Sequence, residues 1–169
     1  MGQAYDLKCN RCGYETTIDL GVGFLYPQLY IETIDRIRKG QLGETLQRFL
    51  QEHPDGAIDC EWIALKCENC GTLKDELSLD MYIPKPGCTQ PQHRIRSTVF
   101  PFEDASYVNE SDLQKNYDLY EHYPHRCPGC GNRMQTLDLK EFERQLNKHR
   151  LHCPNCKAKI KKASILLWD

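Results

Sequence analysis

This sequence predicts an α+β fold of short antiparallel strands with helical segments inserted between them. Three observations carry that expectation. Eight of its ten cysteines stand in four Cys-x-x-Cys pairs, apolar residues alternate on either side of those pairs, and stretches at helical spacing lie between them. A chain of 169 residues holds one ordinary domain or two small ones, and a piece well below a hundred residues has only a marginal core and needs staples. The cysteine pairs supply them.

The elements follow in chain order. Residues 5 to 9 and 14 to 20 alternate, with Tyr5, Leu7 and Cys9 on one arm and Tyr14, Ile18 and Leu20 on the other, which predicts a hairpin turning at Cys9 and Cys12. Pro27 opens a helix with Tyr30, Ile34 and Ile37 on one side. A second helix carries Leu42, Leu46, Phe49 and Leu50 and stops at His53-Pro54-Asp55-Gly56. Ile58, Cys60, Trp62 and Ala64 then share one face of a strand entering Cys67, and Leu77, Leu79, Met81 and Ile83 one face of the strand leaving Cys70. Residues 84 to 123 are rich in Pro, Tyr and acids, with a short strand expected over 95–100.

The C-terminal part repeats this plan in shorter form, which suggests an internal duplication. Cys127-Pro128-Gly129-Cys130 leads into Met134 to Leu139, and Asp138 with Glu141 three residues on forms a capping-box pattern. Leu139, Phe142, Leu146 and His149 sit at helical spacing. The chain returns through Cys153-Pro154-Asn155-Cys156 into a segment where Ala158 and Ile160 alternate with Lys157, Lys159 and Lys161. In both halves a glycine follows the first knuckle, Gly13 and Gly131, where a left-handed backbone is easiest without a Cβ. The division expected is an N-terminal domain over 1–87, a linker over 88–120 and a C-terminal domain over 121–169.

Composition narrows the function classes. No basic segment followed by an apolar run opens the chain, and the longest purely apolar stretch, Ile165 to Trp168, is far too short to span a bilayer. A cytoplasmic location with reduced thiols follows as the expectation. The net charge of −2 speaks against a strongly basic nucleic-acid binder, yet residues 1–120 carry a net −7 and residues 121–169 a net +5. The halves can attract each other, or the basic one can meet an acidic partner.

Two cysteines with two residues between them on a tight turn can aim at one ion, so each pair is half of a tetrahedral site and four pairs make two sites. The run Cys9-Asn10-Arg11-Cys12-Gly13-Tyr14, with Gly21-Val22-Gly23-Phe24-Leu25-Tyr26-Pro27 and Gly40-Gln41-Leu42-Gly43-Glu44-Thr45, resembles the zinc-ribbon superfamily and looks like bacterial zinc-ribbon proteins of unassigned function. The resemblance covers the first ~85 residues best and is specific for metal binding, not for an activity. It implies a structural zinc held by Cys9, Cys12, Cys67 and Cys70, across 54 intervening residues. Cys127, Cys130, Cys153 and Cys156, with 22 residues between the pairs, then form the second site at the usual ribbon spacing. Two zinc ions are expected, and the fold becomes two zinc ribbons with helical insertions.

Other chemistries stand beside this one. The Cys127 and Cys153 pairs also look like a rubredoxin site, so an iron electron carrier is the rival cofactor reading. Cys60 and Cys88 lack partners at ligand spacing, Cys60 as a small buried hydrophobe on its strand and Cys88 in the connecting segment. His125 and His152 flank cysteine pairs and are expected beside the sites and not in them. His53, His93, His122 and His149 show no catalytic spacing, and no residue is assigned as catalytic or as binding an organic cofactor. The favoured function is a non-enzymatic binding module that meets a protein, or a nucleic acid through Lys157, Lys159, Lys161 and Lys162. A zinc-dependent enzyme is the alternative from another class. No membrane association is expected.

Overall fold

The computed structural model describes residues 2–88, 93–94 and 106–168. It is α+β, with small antiparallel sheets and four helices among the described residues. The chain divides into two compact units: unit 1 takes 1–23, 62–77 and 124–169, and unit 2 takes 24–61 and 78–123. Each unit is therefore assembled from separated stretches, whereas the division 1–87, 88–120 and 121–169 runs along the chain.

Unit 1 holds two three-stranded sheets and one helix. β1 (Gly2–Lys8) is the central strand of the first, paired with β2 (Glu15–Leu20) on one edge and with β11 (Lys161–Trp168) on the other. Its register runs from Gln3 against Leu20 to Lys8 against Glu15, and from Gly2 against Trp168 to Lys8 against Lys161, with an irregularity at Asp6/Leu7. The second sheet has β4 (Trp62–Lys66) between β5 (Leu73–Leu77) and β10 (Gln135–Leu137). The two sheets touch where Gly21 and Trp62 exchange backbone hydrogen bonds of 2.9 and 3.1 Å.

Alternation decides what the sheets bury. Tyr5, Leu7, Ile18, Leu20, Ala64, Leu73 and Leu137 point into one core, which α4 (Leu139–Asn147) closes with Phe142 and Leu146. Tyr5 meets Phe142 edge-on at 5.1 Å, and its hydroxyl donates to Glu143 at 2.7 Å, so the buried ring keeps a polar partner. The N-cap of α4 is as the sequence reads: the Asp138 carboxylate accepts from the Glu141 N–H at 2.7 Å. The other half of the capping box does not form, because the Glu141 carboxylate turns to Arg144 and Gln145. His149 does not extend the helix. It sits at φ 53° just past the end, where the Arg150 N–H closes back on the Gln145 carbonyl, a left-handed stop.

Unit 2 contains α1 (Tyr26–Arg38), started by Pro27, and α2 (Glu44–Glu52). With them are a three-stranded sheet in which β6 (Met81–Pro84) lies between β3 (Ala57–Ile58) and β9 (Tyr117–Glu121), the short pair β7 (His93–Arg94) and β8 (Ser106–Tyr107), and α3 (Glu110–Asn116). The stretch read as a linker thus carries β7, β8, α3 and most of β9. The strand expected over 95–100 lies outside the described residues. The long strands expected on either side of Cys67 and Cys70 are each broken in two, at 59–61 and at 78–80. Leu79 adopts φ 58° there, and its N–H donates to the Asp59 carbonyl at 2.8 Å.

Candidate metal centres

Four turns in unit 1 share one design. In each, the N–H of the first cysteine donates to the carbonyl five residues on: Cys9 to Tyr14, Cys67 to Thr72, Cys127 to Asn132 and Cys153 to Ala158, all at 2.8 Å. In each, the residue after the second cysteine returns a hydrogen bond to the carbonyl of the first, at 2.8–2.9 Å. That residue is left-handed every time, with φ +74° at Gly13, +79° at Gly71, +71° at Gly131 and +59° at Lys157. The first cysteine of each pair is buried and the second lies nearer solvent. Two thiols are thereby aimed to one side of each turn.

The turns meet in a nested order, which corrects the pairing implied by the zinc-ribbon resemblance, Cys9/Cys12 with Cys67/Cys70 and Cys127/Cys130 with Cys153/Cys156. Cys9 and Cys12 stand with Cys153 and Cys156, and Cys67 and Cys70 stand with Cys127 and Cys130; within each set all four sulfurs lie within 4.8 Å of one another. Cys9 Sγ is 3.4 Å from Cys156 and Cys12 Sγ 3.5 Å from Cys153; Cys67 is 3.5 Å from Cys130 and Cys70 3.4 Å from Cys127. The first cysteine of one turn faces the second of its partner, so each set has a two-fold character. The cause is strand pairing. β11 leaves the Cys153/Cys156 turn and lies along β1, which enters the Cys9/Cys12 turn, while β10 leaves the Cys127/Cys130 turn and lies along β4, which enters the Cys67/Cys70 turn.

The donor set fits a metal ion. A tetrahedral ion bound to sulfur at about 2.3 Å places its ligands about 3.8 Å apart, within the spread of these sulfurs. None of the contacts approaches a disulfide bond of about 2.0 Å. The Cys12 N–H faces the Cys9 thiol and lowers its pKa to about 6, and the Asn132 N–H lowers Cys130 likewise to about 6. At Cys12 the Tyr14 N–H acts the same way, but burial and the neighbouring thiols override it and push the group up to about 12; Cys67 rises to about 11 against the Cys70 N–H. Each cluster so contains a thiol lowered by backbone N–H groups and a neighbour raised by burial and by the thiols beside it. A cation bound among them displaces the thiol protons.

The remaining residues fall outside the clusters. His125 is buried two residues before Cys127 and faces the Glu76 carboxylate at 3.1 Å. His152 is exposed and bridges to Lys159 across the last turn. Cys60 is buried in unit 2, where loss of solvation raises its pKa, and Cys88 is half-buried in the same unit. His53 packs on Phe49 and Tyr120, His93 meets Asp112 at 2.5 Å, and His122 meets Asp80 at 2.6 Å. Sequence reasoning passed over the residues two places after the second cysteine. Thr72 Oγ1 lies 3.1 Å from Cys70 Sγ, and Asn132 Nδ2 donates to Cys130 Sγ at 3.4 Å. It read Lys157 only as a candidate nucleic-acid contact, and did not foresee that its ammonium reaches backbone carbonyls of two different turns.

Fold and site together define a protein with two four-cysteine clusters able to hold metal, consistent with tandem zinc ribbons. Comparison with protein families, with curated proteins and with solved structures returns no match.

Proposed function

We propose that the chain is a non-enzymatic zinc-binding module, with structural zinc at Cys9, Cys12, Cys153 and Cys156 and at Cys67, Cys70, Cys127 and Cys130, that presents a surface to a protein partner. The observation that carries this reading is the four-fold repeat of one knuckle, closing two sets of four sulfurs. A closed set leaves no coordination position for a reacting water, which favours a structural ion over a catalytic one. In small units such ions supply much of the folding free energy. A reducing, cytoplasmic setting suits the thiols.

The surface best suited to a protein is β11, an edge strand whose Ile165, Leu166 and Leu167 are 40, 59 and 66% exposed. An open apolar edge is a template for a partner's strand. Exposed Lys159, Lys161 and Lys162 on the same segment favour nucleic acid as the second reading. Elemental analysis of the protein tests the metal: two zinc ions per chain are expected, and a red, iron-loaded protein or an empty one would sink the reading. Binding to RNA at low salt separates the partners, because phosphate contacts weaken with salt by about one log–log unit per neutralised charge. The whole chain must be used, since a 121–169 fragment contains only half of each cluster.

A further inference from the structure

The four knuckles differ at one slot. Three place glycine at the left-handed position after the second cysteine, and the fourth places Lys157 there at φ +59°, a conformation that L side chains rarely adopt. The turn itself does not need the side chain, because its closing hydrogen bond comes from the Lys157 backbone N–H, as it does from glycine elsewhere. What the side chain does is reach away from its own cluster. Its Nζ donates to the carbonyl of Cys70, a member of the other cluster, and at 3.1 Å to the carbonyl of Pro154 in its own turn. Opposite it stands Gly71, where a Cβ would come within 3.4 Å of the ammonium. A cleft of about 230 Å³ lies beside this bridge, lined by Cys67, Cys70, Leu151, His152 and Lys157.

We propose that Lys157 is a strut between the two metal centres, so that filling one favours filling the other. The proposal rests on both clusters binding metal. An ion among Cys67, Cys70, Cys127 and Cys130 fixes the Cys70 turn and with it the carbonyl that receives Lys157. The fixed acceptor then holds the 153–157 turn in place, which aligns Cys153 and Cys156 for their own ion. Coupling of this kind is reciprocal by necessity. Charge works in the same direction: four thiolates around a divalent ion carry a formal −2, and the ammonium is anchored on the backbone of one such set from within the other. A hydrogen bond with an ionised partner is among the stronger ones. Discounted for an exposed lysine, it corresponds to an affinity change of about tenfold.

The test uses the whole chain stripped of metal under reducing conditions and cobalt(II) as the probe. Stepwise binding is followed by thiolate-to-cobalt charge-transfer absorption in competition with a chelator. Wild type is expected to fill both clusters together. In Lys157→Met, which keeps most of the stem and removes the donor, two ions should still bind with unchanged tetrahedral spectra. They should bind in two resolved steps, the second about tenfold weaker than in wild type. Lys157→Gly suits the left-handed turn and should relax the knuckle yet lose the coupling in the same way, whereas Lys157→Arg should restore it. A lysine that only filled space would leave the glycine variant at least as well coupled as wild type. Two ions bound with wild-type stepwise constants in the Met and Gly variants would overturn the strut and leave the metal centres standing. A wild type that takes up no cobalt would remove both.

Discussion

Paired substitutions decide the nested assignment. With Cys12 and Cys156 both changed to Ser, one cluster is damaged twice and the metal count should fall from two to one. With Cys12 and Cys130 changed, both clusters are damaged and the count should fall to zero. Pairing by chain proximity demands zero in the first case as well. The loss of stability follows from the loops the clusters close. Cys9 and Cys156 are 147 residues apart and Cys70 and Cys127 are 57 apart. Treated as cross-links, they restrict the unfolded chain by about 5 and about 4 kcal/mol respectively. Loss of the first cluster alone should therefore lower Tm by about 10–20 °C in a chain of this size. Elemental analysis gives the count and thermal unfolding followed by circular dichroism gives the shift. A Cys12→Ser/Cys156→Ser protein without metal, or a Cys12→Ser/Cys130→Ser protein with one ion, would refute the nested arrangement.

Further expectations follow from burial. Phe142 is fully buried against Tyr5, so Phe142→Ala should destabilise unit 1 by about 3–5 kcal/mol in denaturant unfolding; a loss under 1 kcal/mol would mean the helix does not close that core. Cys60 is inaccessible and its thiol is pushed up by burial, so it should resist alkylation in the folded chain, and Cys60→Ser should leave the metal count at two. Rapid labelling of Cys60 would contradict this. Burial also raises the Asp59 carboxyl above its usual range, outweighing hydrogen bonds from Glu61 and Ser78. The folded chain then holds this proton more tightly than the unfolded one, so stability falls as pH rises from about 4 toward the raised value and levels off above it. Asp59→Asn should consequently gain on wild type between acid and neutral pH. A difference between the two that does not vary with pH would argue against a raised carboxyl.

The fold class, α1 and α2, the first hairpin and the Asp138 cap were legible because each depends on residues near one another in sequence. Cluster partnership was not, because it is decided between strands far apart in sequence, Lys66 against Gln135 in one cluster's sheet and Lys8 against Lys161 in the other's. The apolar Ile165, Leu166 and Leu167 are exposed, since β11 is held by backbone pairing to β1. The breaks at 59–61 and 78–80 were hidden because apolar alternation continues through them. What interrupts the strands is Leu79 at positive φ and the polar residues Asp59 and Ser78.

The uneven charge takes on a different meaning once the units are drawn. Unit 1 has 14 Lys/Arg against 10 Asp/Glu, a net +4, and unit 2 has 8 against 14, a net −6. Counted along the chain, the positive excess looks like a C-terminal patch awaiting phosphate. Counted by unit, it coincides with the eight cysteines, all of which lie in unit 1. A divalent ion among four thiolates adds a formal −2, so two loaded clusters bring unit 1 from +4 to zero. Its basic residues are in that state the counter-charge of its own metal centres, and Lys157, bonded to carbonyls in both knuckles, is the clearest instance. Lys157 is exposed, but its ammonium is already hydrogen-bonded to two carbonyls, which leaves Lys159, Lys161 and Lys162 as the rest of the exposed run. That remainder sits beside the apolar stretch of the β11 edge, where an extended protein segment with acidic and apolar side chains matches both features and a nucleic acid matches only one.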